Sequence, residues 1–157
     1  IGTGDSGPFG GNMDFNRVTK HASVYLPVYN KGGLLYLGDG HAAQGDGELN
    51  WMALETSLDF SFTVKLIKNP VKKIDYPRIE DDAYIMTVGI DATLDQSLKI
   101  ATKGMLNWLQ EAYGLTIEEA TQVMGSSIEY KIAQIVDPKV EVVAMIKKEV
   151  LKKIQKL

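Results

Sequence analysis

Residues 83–119 read AYIMTVGIDATLDQSLKIATKGMLNWLQEAYGLTIEE, and the spacing of the apolar residues changes once along this stretch. Ala83–Ile90 is a short apolar run, which favours a buried strand. From Leu94 to Tyr113 the apolar residues recur at the three- and four-residue spacing of a helix, and Gly114 follows as a C-terminal cap. Thr116 and Glu119 have the pattern of a capping box, which predicts a second helix through about Met124.

Two further regions that precede this stretch have strand patterns. Ser23–Tyr29 and Gly33–Leu37 are apolar and aromatic, and the Asn-Lys-Gly sequence between them is typical of a turn, so we expect a hairpin. Pro27 predicts that the first strand lies at an edge or bulges there. Leu49–Leu54 and Leu58–Ile67 form a second hairpin-like region, and the latter alternates apolar and polar residues as a half-buried strand does.

The end of the chain completes the expected fold. Tyr130–Val136 and Val140–Ile146 predict two closing strands before a basic tail that can continue as a helix. We therefore expect an α+β protein, mainly β, with antiparallel sheets and a late helical hairpin. The 157 residues suffice for one core, so we expect a single domain or a large part of one. Its parts are residues 1–92, mostly β with glycine-rich loops, residues 93–128, helical, and residues 129–157, strands followed by the tail.

Composition argues against several classes of protein. The net charge is −3, and the basic residues are scattered except at the C-terminus, which does not favour nucleic-acid binding. Cysteine is absent, so the chain has no disulfide, thiolate ligand or cysteine nucleophile. No apolar run approaches the ~20 residues that cross a bilayer, and the glycine-rich start does not resemble a secretory signal. We expect neither export nor membrane insertion, and we expect that Ile1 is not the natural start.

The segment Gly38–Glu48, GDGHAAQGDGE, has the densest chemistry in the chain. It contains four glycines, three acids, one histidine and one glutamine directly after an apolar run. Imidazole and carboxylate groups are ligands of divalent cations, so Asp39, His41, Asp46 and Glu48, with Asn12 and Asp14, are candidates to converge on Zn²⁺, Ca²⁺ or Mg²⁺. Of these we expect Asp14, Asp39 and His41 to lie near the cation. Asp-Gly pairs are also common in hairpin turns, and residue chemistry alone leaves the site and the turns evenly balanced.

Roles within this site follow from residue type. Glu48 leads into an apolar stretch, so we expect its carboxylate to be desolvated and to act as the general base, with Asp46 as the second choice. His41 is expected to act as a ligand or in catalysis. Gln44 and Asn12 are the candidates for substrate binding, although Gln44 can equally hold two loop segments together and Asn12 can form a simple turn.

Several motifs occur in order: GGNMD (Gly10–Asp14), LPV (Leu26–Val28), GGLLYLGDGHAAQGDGE (Gly32–Glu48) and GSSIEYKIAQIVDP (Gly125–Pro138). Together they resemble the acetamidase/formamidase family over most of the chain. The resemblance implies a cytoplasmic enzyme that hydrolyses formamide, acetamide or similar short amides, on a jelly-roll-like β-sandwich with added helices, with zinc or calcium. Members of this family are about twice as long, so the resemblance implies that the N-terminal half is missing here and is supplied by a separate chain or was cut away.

The main hypothesis is therefore metal-assisted hydrolysis of short aliphatic amides to carboxylate and ammonia. We expect a homo-oligomer, a dimer in the simplest case. The alternative is a non-catalytic β-sandwich binding module in which the GDGHAAQGDGE loop holds a structural cation, or an inactive fragment that needs a partner chain. Ammonia release separates these hypotheses.

Overall fold

The computed structural model describes residues 2–68 and 74–154. The strands in these ranges are β1 Ser6–Gly7, β2 Gly10–Gly11, β3 Ser23–Tyr25, β4 His41–Ala43, β5 Leu54–Glu55, β6 Arg78–Glu80, β7 Tyr84–Asp91, β8 Glu129–Gln134 and β9 Val140–Lys147. The helices are α1 Leu94–Tyr113, α2 Ile117–Ser127 and α3 Lys148–Ile154, and a short 3-10 turn spans Asp46–Glu48.

The main sheet has five strands in the order β3-β6-β7-β9-β8, and all neighbours are antiparallel. Strands β7 and β9 form its centre and pair continuously from Tyr84 opposite Lys147 to Asp91 opposite Val140. Both central strands are buried along nearly their whole length, because each face of the sheet is covered. One face packs against the helices, and the other packs against side chains that include Phe15 and Tyr76.

Helix α1 confirms the sequence prediction at both ends. The Thr93 side chain accepts a hydrogen bond from the backbone N–H of Gln96, and Gly114 ends the helix in the left-handed conformation with φ 68°. The capping box of Thr116 and Glu119 is also formed and begins α2. The face of α1 that contains Ala101, Met105 and Leu109 is buried against the sheet, as the apolar spacing predicts.

Helix α1 approaches β7 closely because residue 89 has no side chain. A Cβ atom at Gly89 would lie 1.9 Å from the carbonyl oxygen of Ser97. Two hydrogen bonds fix this contact: Thr87 Oγ1 donates to the carbonyl of Ala101 at 2.7 Å, and Ser97 Oγ donates to the carbonyl of Val140 at 2.9 Å. The helix is therefore held directly on the two central strands.

Both predicted hairpins before residue 70 are wrong. Strand β3 pairs with β6 and not with residues 33–37, which are exposed and form no strand. Residues 58–67 are likewise exposed and form no strand, whereas β5 pairs with β4. A period-two pattern predicts a half-buried strand only where a partner strand and a covering face exist, and the described residues supply neither for these segments. Pro27 did predict the edge correctly, since β3 is an edge strand and ends just before it.

The expected α+β class, mainly β and antiparallel with a helical pair late in the chain, is confirmed. The closing strands are β8 and β9, and the start of the basic tail forms α3. Among the residues that the structure describes, no helix is long and apolar enough to cross a membrane.

Candidate active site

Three segments of the chain meet at the candidate site. The first follows β2 and contains Asn12 and Asp14, the second is the segment Gly38–Glu48, and the third is the turn between β8 and β9 with Asp137. The backbone N–H of Ile135 donates to the carbonyl of Gly47 at 3.1 Å and fixes the second segment to the third. Asp39-Gly40 directly precedes β4, and Asp46-Gly47 lies in the 3-10 turn. Neither pair therefore forms the two-residue tip of a tight hairpin.

The carboxylate of Asp14 belongs to two clusters of possible ligands. One cluster is Asp14, Asp39 and His41, and the other is Asp14, Glu48 and Asp137. Within each cluster the ligand atoms lie within 4.8 Å of one another. The three residues that the sequence predicts near a cation therefore do converge, and their imidazole and carboxylate donors are a set that suits a divalent metal such as zinc.

His41 is oriented by Gln44. Its Nδ1 lies 3.2 Å from Gln44 Oε1, while Gln44 Nε2 donates to the carbonyl of Asp14 at 2.8 Å. Because the amide oxygen faces Nδ1, that nitrogen carries a hydrogen and leaves Nε2 facing the carboxylates. Nε2 lies 3.2 Å from Asp39 Oδ1 and 3.9 Å from Glu48 Oε1, but it is buried and forms no hydrogen bond with good geometry to any residue that the structure describes.

The charges around His41 affect its protonation. Burial lowers the pKa of His41, but the hydrogen bond to Gln44 and the carboxylates of Asp39, Asp14 and Glu48 raise it, and the net pKa is above its ordinary value. The same nitrogen and carboxylates are of the donor types that divalent cations take as ligands. The carboxylates around His41 therefore favour a positive charge at its imidazole.

Glu48 is the most buried acid of the glycine-rich loop. Its residue exposure is 4%, and its Oε2 has no hydrogen-bond partner among the described residues. Burial, with a further contribution from the carboxylate of Asp14, raises the pKa of Glu48 to about 7. Such a carboxyl group can accept and release a proton near neutral pH, as a general base requires. The expected desolvation of Glu48 thus agrees with its position.

The backbone of the loop is strained where two of its acids lie. Asp39 has φ 63° and Glu48 has φ 48°, in the left-handed region that side chains other than glycine rarely adopt. Strained residues of this kind cluster at functional sites, where the surrounding structure holds them in place. Burial, together with the charge of Asp39, also raises the pKa of Asp14. The strained residues Asp39 and Glu48 therefore belong to the same two clusters as Asp14.

Asp46 lies outside both clusters. Its carboxylate accepts hydrogen bonds from Lys131 Nζ at 2.9 and 3.0 Å and from Asn16 Nδ2 at 3.2 Å. The bond from Lys131 lowers its pKa, and the carboxylate is half exposed. A base of low pKa that is paired with lysine is a poor proton acceptor, so this geometry does not support the expected catalytic role of Asp46.

The two residues expected to bind substrate, Gln44 and Asn12, form hydrogen bonds with other groups of the protein. Gln44 has both ends of its amide engaged, as described above. Asn12 Nδ2 donates to Asp137 Oδ2 at 2.7 Å, and the carbonyl of Asn12 accepts from Gln134 at 2.9 Å. Gln44 therefore holds two segments together, which is the structural alternative considered for it. Asn12 makes a long-range bond to Asp137 and not the simple local turn considered for it.

Sequence reasoning missed Asp137 and Glu141. Asp137 accepts hydrogen bonds from Asn12 and, at 3.3 Å, from Trp51 Nε1. Glu141 is fully buried in β9, and burial raises its pKa well above the ordinary value, with further contributions from Asp14 and Glu48. A signal for Glu141 existed, since it is the single acid within the apolar run Val140–Ile146. No local signal distinguishes Asp137 from an ordinary turn aspartate before proline.

An open cavity adjoins the first cluster. Its volume is about 410 Å³, and its lining is mostly polar. The residues that line it are Asp39, Gly40, Glu55, Thr56 and Ser57. Glu55 lies opposite His41 in the β4–β5 pair and is exposed. Asp39 is therefore the acid of the loop that this cavity exposes to a small polar molecule.

Comparison with known proteins identifies relatives of this chain. The family model described as the acetamidase/formamidase family matches residues 6–153. The chain is 31% identical over 148 residues to the formamidase of Methylophilus methylotrophus, a match that covers 82% of this chain and 36% of that protein. It also superposes on the crystal structure of acetamidase from Yersinia enterocolitica with a TM-score of 0.82 and 29% identity, over 96% of this chain and 45% of that one.

A second solved structure gives a similar result. The predicted acetamidase/formamidase from Thermoanaerobacter tengcongensis matches with a TM-score of 0.84 and 27% identity, over 98% of this chain and 50% of that one. The chain thus spans between 36% and 50% of the length of these relatives.

Proposed function

Because the chain belongs to the acetamidase/formamidase family, we propose that it contributes the catalytic cluster of an enzyme that hydrolyses short linear amides. The substrates are formamide, acetamide or amides of similar size, and the products are the carboxylate and ammonia. The observation that carries the proposal is the convergence of Asp14, Asp39 and His41 with the buried acid Glu48, beside an open polar cavity. The substrate class rests on the names of the relatives.

In this proposal Asp14, Asp39 and His41 hold a divalent cation, zinc or calcium. The fit is supported by the buried Nε2 of His41 and by carboxylates that lie within 4.8 Å of one another. When bound, the cation polarises the amide carbonyl and lowers the pKa of a water. Gln44 keeps the imidazole turned towards this position, since its amide is fixed between His41 and the backbone of Asp14.

Glu48 is the proton acceptor in this proposal. Its carboxylate is buried on the same side of the cluster as His41 Nε2, 3.9 Å away, and its pKa of about 7 suits general base catalysis at neutral pH. The proton that Glu48 receives from water can then be donated to the leaving nitrogen, so that ammonia departs as a neutral molecule. One carboxyl group thus acts first as the base and afterwards as the acid.

We also propose that another portion of the family fold covers the exposed apolar segments of this chain. Tyr36 is 86% exposed, and Phe62 and Val64 are 60% and 67% exposed, in segments whose sequence has a strand pattern. Many large apolar side chains exposed in two segments favour an interaction site there. A second chain or segment that adds strands here would bury it. Formation of a homodimer stays a prediction, which light scattering after size-exclusion chromatography tests.

Ammonia release tests the proposed function. It is measured with formamide and acetamide, on this chain alone and on the chain produced together with the N-terminal half that the resemblance implies. We expect release in the completed protein and a loss of at least ~100-fold in Glu48→Gln, because a positioned base contributes about that factor or more. Glu118→Gln, an exposed change on α2, is the matched control and is expected to leave the rate unchanged.

Two results would contradict the proposal. Full turnover in Glu48→Gln would show that Glu48 is not the base. If the completed wild-type protein released no ammonia from either amide, the amidase function would be wrong, and the non-catalytic binding module would be the better account.

A further inference from the structure

Trp51 lies beside the acidic residues of the site, and the proposed mechanism does not use it. Its indole Nε1 donates a hydrogen bond to Asp137 Oδ1 at 3.3 Å. A carboxylate oxygen of Asp137 in turn lies within 4.8 Å of ligand atoms of Asp14 and Glu48. The indole ring is therefore one hydrogen bond away from the cluster that contains the proposed base, and yet Trp51 is 69% exposed.

The backbone of Trp51 is strained in a way that the stability of the fold does not explain. Its φ is 70°, in the left-handed region that bulky side chains rarely adopt and that glycine adopts without strain. Burial does not offset this strain, since most of the residue is exposed. Strained residues of this kind occur mainly at functional sites. The indole at this position therefore points to a role in the site.

The loop that contains Trp51 connects two parts of the site. It runs from Glu48 to β5, where Glu55 lines the polar cavity together with Asp39. An amide in this region directs its carbonyl oxygen and its nitrogen towards the polar groups. Its acyl carbons then face away from the charges, because apolar groups are favoured against apolar surface. The ring of Trp51 provides such a surface directly beside the carboxylates.

We propose that Trp51 is a specificity-determining residue whose indole ring forms the wall against which the acyl group of the amide lies. This inference rests on the proposed function and deepens it, because it names the feature that restricts the substrates to short amides. A rigid ring held by the bond to Asp137 leaves room for the hydrogen of formamide or the methyl group of acetamide, whereas longer acyl chains collide with it. One methylene group in a fixed pocket changes kcat/KM by about 10- to 200-fold.

Relative rates for amides of increasing length test this proposal. In the completed protein, kcat/KM for ammonia release is measured with formamide, acetamide, propionamide and butyramide. We expect the ratio of butyramide to acetamide to rise at least ~10-fold in Trp51→Gly, because the ring no longer limits the acyl chain. Trp51→Phe keeps an aromatic ring without the Nε1 donor and is expected to keep most of the preference for acetamide. An unchanged ratio in Trp51→Gly would overturn the proposal.

Ala53→Gly is the matched control for the flexibility of the loop. Ala53 also has a left-handed backbone, with φ 46°, so glycine there relieves strain without removing a ring. We expect this variant to keep the wild-type ratio of butyramide to acetamide. An equal rise in Ala53→Gly and Trp51→Gly would show that loop flexibility and not the ring sets the ratio, which would overturn the proposal.

Two measurements separate a wall of the site from a structural residue. Because glycine suits the φ of residue 51, we expect the Tm of Trp51→Gly to lie no more than about 4 °C below that of the wild type. We also expect a tagged N-terminal half to retain the variant as it retains the wild type. A larger fall in Tm would assign the ring to the fold, and lost retention would assign it to the interface with the other half. Either result would overturn the proposal.

The inference and the proposed function fail separately. Saturation-transfer NMR from aromatic protons to the methyl group of acetamide needs no turnover, and we expect it in completed Glu48→Gln protein and its loss when Trp51→Gly is added. Ammonia release with an unchanged ratio in Trp51→Gly would overturn the role of Trp51 and leave the amidase function standing. Transfer that depends on Trp51, in a completed protein that releases no ammonia from any of these amides, would support the contact and contradict the amidase function.

Discussion

Replacing Gly89 with alanine tests the contact that holds the helical layer on the central strands. The added Cβ would lie 1.9 Å from the carbonyl oxygen of Ser97 and 2.7 Å from the backbone nitrogen of Ala101. Ordinary contact begins at 3.4 Å, so the oxygen and the Cβ must separate by a further 1.5 Å. Both contact atoms belong to the backbone, and a rotation of a side chain cannot relieve the clash.

The cost of this movement follows from the core beneath α1. Lifting the helix separates Met105 and Leu109 from Ile85 and Ile146, which form one buried cluster. A gap of 0.5–1 Å already removes about a quarter to a half of the dispersion energy of each contact. We expect a loss of roughly 3 kcal/mol in the free energy of unfolding, at the upper end for overpacking. For a chain of this size the loss lowers the Tm by roughly 6–12 °C.

Thermal unfolding followed by circular dichroism at 222 nm measures this effect. Gly125→Ala is the matched control, since its added Cβ meets nothing within 4 Å and it lies inside α2. There alanine replaces glycine in a helix without a clash, so we expect stabilisation of about 0.5–1 kcal/mol. A Gly89→Ala protein that unfolds within 2 °C or so of the wild type would refute the reasoning, because ~1 kcal/mol already shifts the Tm by about that much.

Two further predictions concern charge and orientation. Burial raises the pKa of Asp81, but hydrogen bonds from Arg17 and from two backbone N–H groups lower it more, so its net pKa is below 3.8. A lowered pKa gives stability that is present above pH 3.8 and is lost as the pH falls through the folded-state pKa. Asp81→Asn should therefore cost roughly 1–2 kcal/mol at pH 7, and the cost should decrease as the pH is lowered below 3.8, measured by urea unfolding; a cost that does not change with pH would contradict this. Gln44→Ala frees the ring of His41 and should weaken cation binding in calorimetric titration by about 10- to 100-fold, and unchanged affinity would show that Gln44 does not position the imidazole.

The parts of the fold that were predicted correctly depend on local signals. The ends of α1 follow from Thr93 and Gly114, whose roles need only neighbouring backbone. The segments 33–37 and 58–67 were wrongly predicted because a strand pattern states which faces are apolar but does not state which strand pairs with which. Their apolar side chains are exposed in the structure, and residues 2–68 and 74–154 provide no face that covers them.

The site was predicted in part for a similar reason. Two short motifs, Gly10–Asp14 and Gly38–Glu48, are rich in glycine and in acidic, amide or imidazole side chains. This density led to the four residues Asp14, Asp39, His41 and Glu48. Asp137 was missed because it lies 125 residues after its hydrogen-bond partner Asn12, and only the pairing of β8 with β9 brings it there. Asp46, like Glu48, is an acid next to Gly47 in the loop, and its pairing with Lys131 depends on the tertiary fold.

The most direct test of the central claim is the rate of ammonia release from formamide by the completed protein, before and after removal of divalent cations. If Asp14, Asp39 and His41 hold the cation that hydrolysis requires, the rate falls to background after chelation and returns when Zn²⁺ or Ca²⁺ is added back. The Asp14→Asn protein does not recover under the same conditions. Full activity in the chelated wild type, with bound metal absent by elemental analysis, would contradict the account.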